Sequence, residues 1–89
     1  MKTIHIEIYG KVQGVYYRAS AREIALNCRI SGWIRNDYSG KVEALVTGSE
    51  ADLEKFITWC WEGPSRASVE KVDTREVTLQ HFDTFEVLR

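Results

Sequence analysis

With 89 residues, 44% hydrophobic and 28% charged, the chain has the size and composition of one soluble globular domain, spanning residues 1–89. Twelve basic against thirteen acidic residues give a net charge of −1, which argues against a nucleic-acid binder with a basic stripe but leaves room for one local anion site. The apolar runs are too short to span a membrane and no apolar leader precedes the first element, so the expectation is a cytoplasmic monomer.

Residues 3–9 alternate strictly, with Ile4, Ile6 and Ile8 facing one way and Thr3, His5, Glu7 and Tyr9 the other, as a half-buried strand does. On the polar face His5 reads as a surface residue rather than a ligand. Residues 10–18 have neither helical nor strand period and contain two glycines, so they form a loop. Tyr17, Ala21, Ile24, Ala25 and Cys28 then recur at three- and four-residue spacing on one face of a helix, with Ser20 and Glu23 at capping-box separation. Residues 30–36 and 41–47 read as strands of a hairpin joined by Asp37-Tyr38-Ser39-Gly40, and Val42, Ala44 and Val46 share a face. Ser49 caps a second helix with Asp52 at its third position; Leu53, Phe56, Ile57, Cys60 and Trp61 form its buried face, and Gly63-Pro64 stops it. Residues 67–77 read as a fourth strand with a bulge or bend, because Val69 and Val72 are three apart. Residues 84–88 form a short last strand.

This order predicts an α+β, ferredoxin-like β-α-β-β-α-β sandwich: an antiparallel sheet, two helices on one face, and a short C-terminal strand. The two helices run antiparallel, so Cys28 and Cys60, each near the C-terminal end of its helix, lie at opposite ends of the helical layer. That is on the order of 10 Å or more apart by helix rise, too far for a disulfide. Neither cysteine has metal-ligand spacing, and both read as apolar thiols.

The loop Gly10-Lys11-Val12-Gln13-Gly14-Val15-Tyr16-Tyr17-Arg18 joins a strand to a helix N-terminus, where free N–H groups and the positive helix end suit an anion. Glycine lets the backbone close on a small group, and the Arg18 fork matches phosphate oxygens. The spacings of a Walker loop or a dinucleotide fingerprint are missing, so on these grounds alone the segment is either an anion site or simply a turn. Asn36 ends the second strand, which this topology runs parallel to the first, so it lies at the same end of the sheet as the loop. It either starts the hairpin turn or holds a water against a bound phosphate. Cys60-x-x-Gly63-x-x-Arg66 matches a cysteine-phosphatase pattern, yet there the cysteine must end a strand and the arginine open a helix. Here a helix precedes and a strand follows, and Pro64 removes an N–H the loop would need. Tyr17 reads as core and Tyr16 as a rim residue.

Val12-Gln13-Gly14-Val15-Tyr16-Tyr17-Arg18 closely resembles the first signature of the acylphosphatase family. Gly32-Trp33-Ile34-Arg35-Asn36, followed by Gly40-Lys41-Val42-Glu43, resembles the second, and Gly63-Pro64, Ala67 and Val69 sit where that family has a similar segment. Tyr16-Tyr17 stands where Phe or Gly-Phe is usual, Ile34 replaces a common valine, and Ser39 takes a position often held by aspartate. The resemblance implies hydrolysis of a small-molecule acyl phosphate to a carboxylate and inorganic phosphate. Arg18 would bind the phosphoryl group, the backbone of Val12, Gln13, Gly14, Val15, Tyr16 and Tyr17 would cradle it, and Asn36 would orient the attacking water. No metal, cofactor, nucleic acid or membrane is expected. With no histidine, carboxylate or thiol placed as base or nucleophile, such a site can only position reactants and stabilise charge. That suffices when the leaving group is a carboxylate. An alternative of another class is a non-catalytic anion-binding module of the same fold.

Overall fold

The computed structural model describes residues 1–88. Its elements are β1 (Lys2–Lys11), α1 (Tyr17–Asn27), β2 (Ser31–Asn36), β3 (Val42–Gly48), α2 (Glu50–Glu62), β4 (Ser68–Val77) and β5 (Phe85–Val87). The strands form one sheet in the order β4-β1-β3-β2-β5. Ile6 and Ile8 of β1 and Val42, Ala44 and Val46 of β3 line its covered face. There they meet Tyr17, Ala21 and Ala25 of α1 and Leu53, Phe56 and Cys60 of α2 in a single core.

The β-α-β-β-α-β order holds, but the sheet is mixed, not wholly antiparallel. Strands β1–β3, β1–β4 and β2–β3 pair antiparallel, whereas β5 pairs parallel with β2, Gly32 opposite Phe85. The reason lies in residues 78–84. Strands β4 and β5 occupy opposite edges, so this segment crosses the far end of the sheet. There it is pinned to β1 and β3: the Gln80 N–H donates to Thr3 Oγ1 at 2.8 Å, and Thr47 Oγ1 donates to the Gln80 carbonyl at 2.9 Å. The same crossing corrects the reading of Thr3 as a solvent-face residue. It is fully buried, its hydroxyl 2.7 Å from that of Thr47.

The bulge in β4 is present. Tyr9 pairs with Lys71 and Gly10 with Val69, leaving Glu70 unpaired and allowing Val69 and Val72 to reach the same core. A side chain at Gly10, where φ is +123°, would place its Cβ 2.2 Å from the Ser68 carbonyl oxygen, so the position admits only glycine. Helix α2 starts as read, the Asp52 N–H donating to Ser49 Oγ at 3.2 Å. Its buried face differs in one residue. Trp59 and Trp61 flank the apolar stripe on opposite sides, and Tyr17 packs on Trp59 with ring centroids 5.2 Å apart, so Trp61 is left 51% exposed. Cys28 and Cys60 are both free thiols.

Helix α1 has no capping box. It begins at Tyr17, with Tyr16 in the left-handed conformation at φ 63° and no side-chain cap. Ser20 lies inside the first turn, where its N–H donates to the Tyr16 carbonyl at 3.1 Å. At the other end Arg29, at φ 58°, takes the left-handed position usually given to glycine. The Ile30 N–H reaches the Ala25 carbonyl at 2.8 Å and the Arg29 N–H the Leu26 carbonyl at 3.3 Å, completing a Schellman closure. No helix among the described residues is long and apolar enough to cross a membrane.

Candidate active site

Four chain segments converge at the end of the sheet where β1 stops. Strand β1 delivers the 10–18 loop, β2 delivers Asn36, β5 delivers Val87, and the turn between α2 and β4 delivers Arg66. Together they line a cleft of about 450 Å³. Val12, Gly14, Tyr16, Tyr17, Arg18 and Asn36 all reach it, so six of the eight residues singled out from the sequence line one cleft. Gln13 and Val15 do not line it.

The two absences have structural causes. Val15 is buried in the core. The Gln13 amide nitrogen donates to the carbonyls of Asp37 and Lys41, at 2.7 and 2.9 Å, which ties the loop to the β2–β3 turn just beyond Asn36. Val12 and Tyr17 are also core residues, so at the cleft they offer backbone rather than side-chain groups. Gly14, at φ +72°, supplies the left-handed bend with nothing within 4 Å of where a Cβ would stand. Tyr16 is 76% exposed and Tyr17 1%, as their patterning requires of a rim residue and a core residue.

The electrostatics favour an anion. The first helical hydrogen bond of α1 is the one from Ser20, so the N–H groups of Tyr17, Arg18 and Ala19 have no acceptor within the helix. Helix α2 meets the same problem in the ordinary way, with the Ser49 cap and Glu50 and Asp52 in its first turn. Helix α1 has no cap and no acidic residue there, but carries Arg18. Arg18 Nη1 donates to the Leu88 carbonyl at 3.2 Å, which steadies the guanidinium and leaves its remaining N–H groups without a partner among the described residues. Across the cleft, Asn36 Oδ1 is the one buried side-chain polar atom among the described residues with no hydrogen-bond partner.

Against this geometry, the acylphosphatase family model matches residues 4–87. The chain belongs to the acylphosphatase family. It is 44% identical over 89 residues to the acylphosphatase of Syntrophus aciditrophicus (strain SB), covering 99% of this chain and 93% of that one. The structure of an acylphosphatase from Coxiella burnetii superposes with a TM-score of 0.95 at 34% identity, covering 98% of this chain and 92% of that chain. Full-length HypF in its phosphate- and nucleotide-bound form matches with a TM-score of 0.92 at 31% identity, over 99% of this chain but only 12% of that one. The ferredoxin-like arrangement is therefore the acylphosphatase fold.

Within that fold the cysteine-phosphatase pattern dissolves. Cys60 lies inside α2, fully buried, and burial pushes its thiol up to about 12, which keeps it protonated and inert at neutral pH. Arg66, from the same pattern, does reach the cleft. Reading the sequence passed over it because its place depends on where α2 ends against the sheet, and only the antiparallel order of the helices hints at that. Among the described residues, no group of three or more His, Cys, Asp or Glu comes together as a metal site requires.

Proposed function

We propose that this chain hydrolyses acyl phosphates to a carboxylate and inorganic phosphate at the Arg18–Asn36 cleft. The observation that carries the roles is the convergence of Asn36, Arg18 and an uncapped helix N-terminus on one cleft. From the cleft wall the Asn36 amide offers hydrogen bonds to a water held at the phosphate. Arg18 grips the phosphoryl oxygens with its free N–H groups, and the N–H groups at the start of α1 share the load. The water oxygen forms a bond to phosphorus as the bond from phosphorus to the acyl oxygen breaks. The carboxylate leaves with that electron pair, and the water proton passes to a phosphate oxygen.

A carboxylate needs no proton to depart, and a loose phosphoryl-transfer transition state asks little of the nucleophile. Placement and charge stabilisation therefore carry the reaction. On this reading residues 1–89 act as one acylphosphatase-like domain, a cytoplasmic monomer working on a small soluble substrate. The test is phosphate release from benzoyl phosphate with chelator present, beside a phosphomonoester. Arg18→Ala and Asn36→Ala should each lower kcat/KM about a hundredfold or more while the protein stays folded. Near-normal turnover in either variant overturns its role. The match to a small part of HypF favours a second reading, an anion-binding module, which phosphate binding without turnover would support.

A further inference from the structure

The cleft is lined by a second arginine to which the hydrolase reading above gives no role. Arg66 lines it from the turn after α2, on a different element from Arg18. The turn is fixed by Gly63 at φ 67° and by the Ala67 N–H donating to the Pro64 carbonyl at 3.0 Å, so the Arg66 backbone is set while its exposed side chain can reach. Among the described residues Arg66 makes no ion pair and no side-chain hydrogen bond, and no aspartate or glutamate lines the cleft. Among the described residues its charge there has no counterion. The cleft, at about 450 Å³, is also far roomier than one phosphate requires, and Tyr16, Ala19 and Val87 give the extra space an apolar wall.

We propose that Arg66 reads the acyl half of the substrate and makes the site selective for acyl phosphates whose acyl group carries its own negative charge. This rests on the hydrolase reading above and extends it. The phosphoryl end sits at Arg18 and the start of α1, the carbon skeleton lies on the apolar wall, and a distal anion meets Arg66. A flexible, solvent-exposed arginine suits that task, because the distal group need only be attracted and not held to the tolerance of the reacting atoms.

The experiment compares benzoyl phosphate with its rigid 3-carboxy and 4-carboxy analogues as substrates of the wild-type chain, Arg66→Gln and Arg66→Lys. The quantity read is the ratio of kcat/KM for a carboxylated over the unsubstituted substrate. In the wild type that ratio should favour at least one carboxylated isomer by about three- to tenfold, the range of a single partly screened charge contact. Arg66→Gln should abolish the preference and Arg66→Lys should keep part of it. About 1 M salt, which cuts the screening length to about 3 Å, should shrink the wild-type ratio. An unchanged ratio in Arg66→Gln overturns the proposal. So does a parallel loss on all three substrates, which would place Arg66 on the phosphoryl group instead. A wild type that hydrolyses benzoyl phosphate without preferring either carboxylated form sinks this inference alone. A wild type that hydrolyses none of the three brings down the hydrolase reading and this inference with it.

Discussion

Tyr17→Phe should destabilise the chain out of proportion to the single atom removed. In a continuing helix the Cys60 carbonyl would accept the N–H of residue 64, but residue 64 is proline and has none. The Tyr17 hydroxyl supplies the missing donor at 2.7 Å, and both partners are buried. Removing it leaves a buried carbonyl unsatisfied, a cost of about 1–3 kcal/mol. For a domain this small each kcal/mol moves Tm by about 4–8 °C, so a fall of roughly 4–24 °C is expected. Urea denaturation should show a lower midpoint with an unchanged slope, since the surface exposed on unfolding is the same. Tyr38→Phe, at a fully exposed tyrosine, is the control and should leave the midpoint in place. If Tyr17→Phe matches that control, the hydroxyl is not replacing an N–H and the account of how α2 ends is wrong.

Arg29→Gly should stabilise the chain by about 0.5–1 kcal/mol in urea denaturation, because glycine takes the left-handed closing position of α1 without the side-chain penalty. Gln13→Ala removes both hydrogen bonds between the 10–18 loop and the β2–β3 turn. It should cost about 1–2 kcal/mol by the same measure and lower kcat for acyl phosphate hydrolysis, since those bonds fix the loop relative to Asn36. Burial pushes the Glu43 carboxyl up, but hydrogen bonds from His5 and Arg35 outweigh it and hold the group below its ordinary value of 4.5. A depressed folded value means the ionised carboxylate adds stability above pH 4.5 or so, and that contribution fades as pH falls through the folded value. The stability gap between wild type and Glu43→Gln should therefore be widest near neutrality and close under acid, as urea midpoints at the two extremes would show.

The features legible in the sequence were those set by near neighbours. Ser49 with Asp52 starts α2 and Gly63 ends it because capping is decided within four residues. The 10–18 loop and Asn36 were legible as a pair because strand direction alone brings them to one end of the sheet. Features set by distant chain were not. Thr3 looks like a solvent-face residue until Gln80, 77 positions on, lies over it. The choice between Trp59 and Trp61 is made by Tyr17 on another helix. The Ser20–Glu23 spacing misled because the left-handed turn at Tyr16 starts α1 at Tyr17, before Ser20 can cap it. Arg66 carried no local mark of its place in the cleft.

The crossing at Gln80 also bears on how such a chain folds. Val87 walls the cleft and the Leu88 carbonyl steadies Arg18, so the cleft takes parts from segments 70 positions apart. The 10–18 loop can form with β1 and α1, but Arg18 stays untethered until the segment after β4 has threaded across the sheet and brought Leu88 to it. The cleft would then be completed in one step, when the edge strand β5 docks, and not built up by degrees.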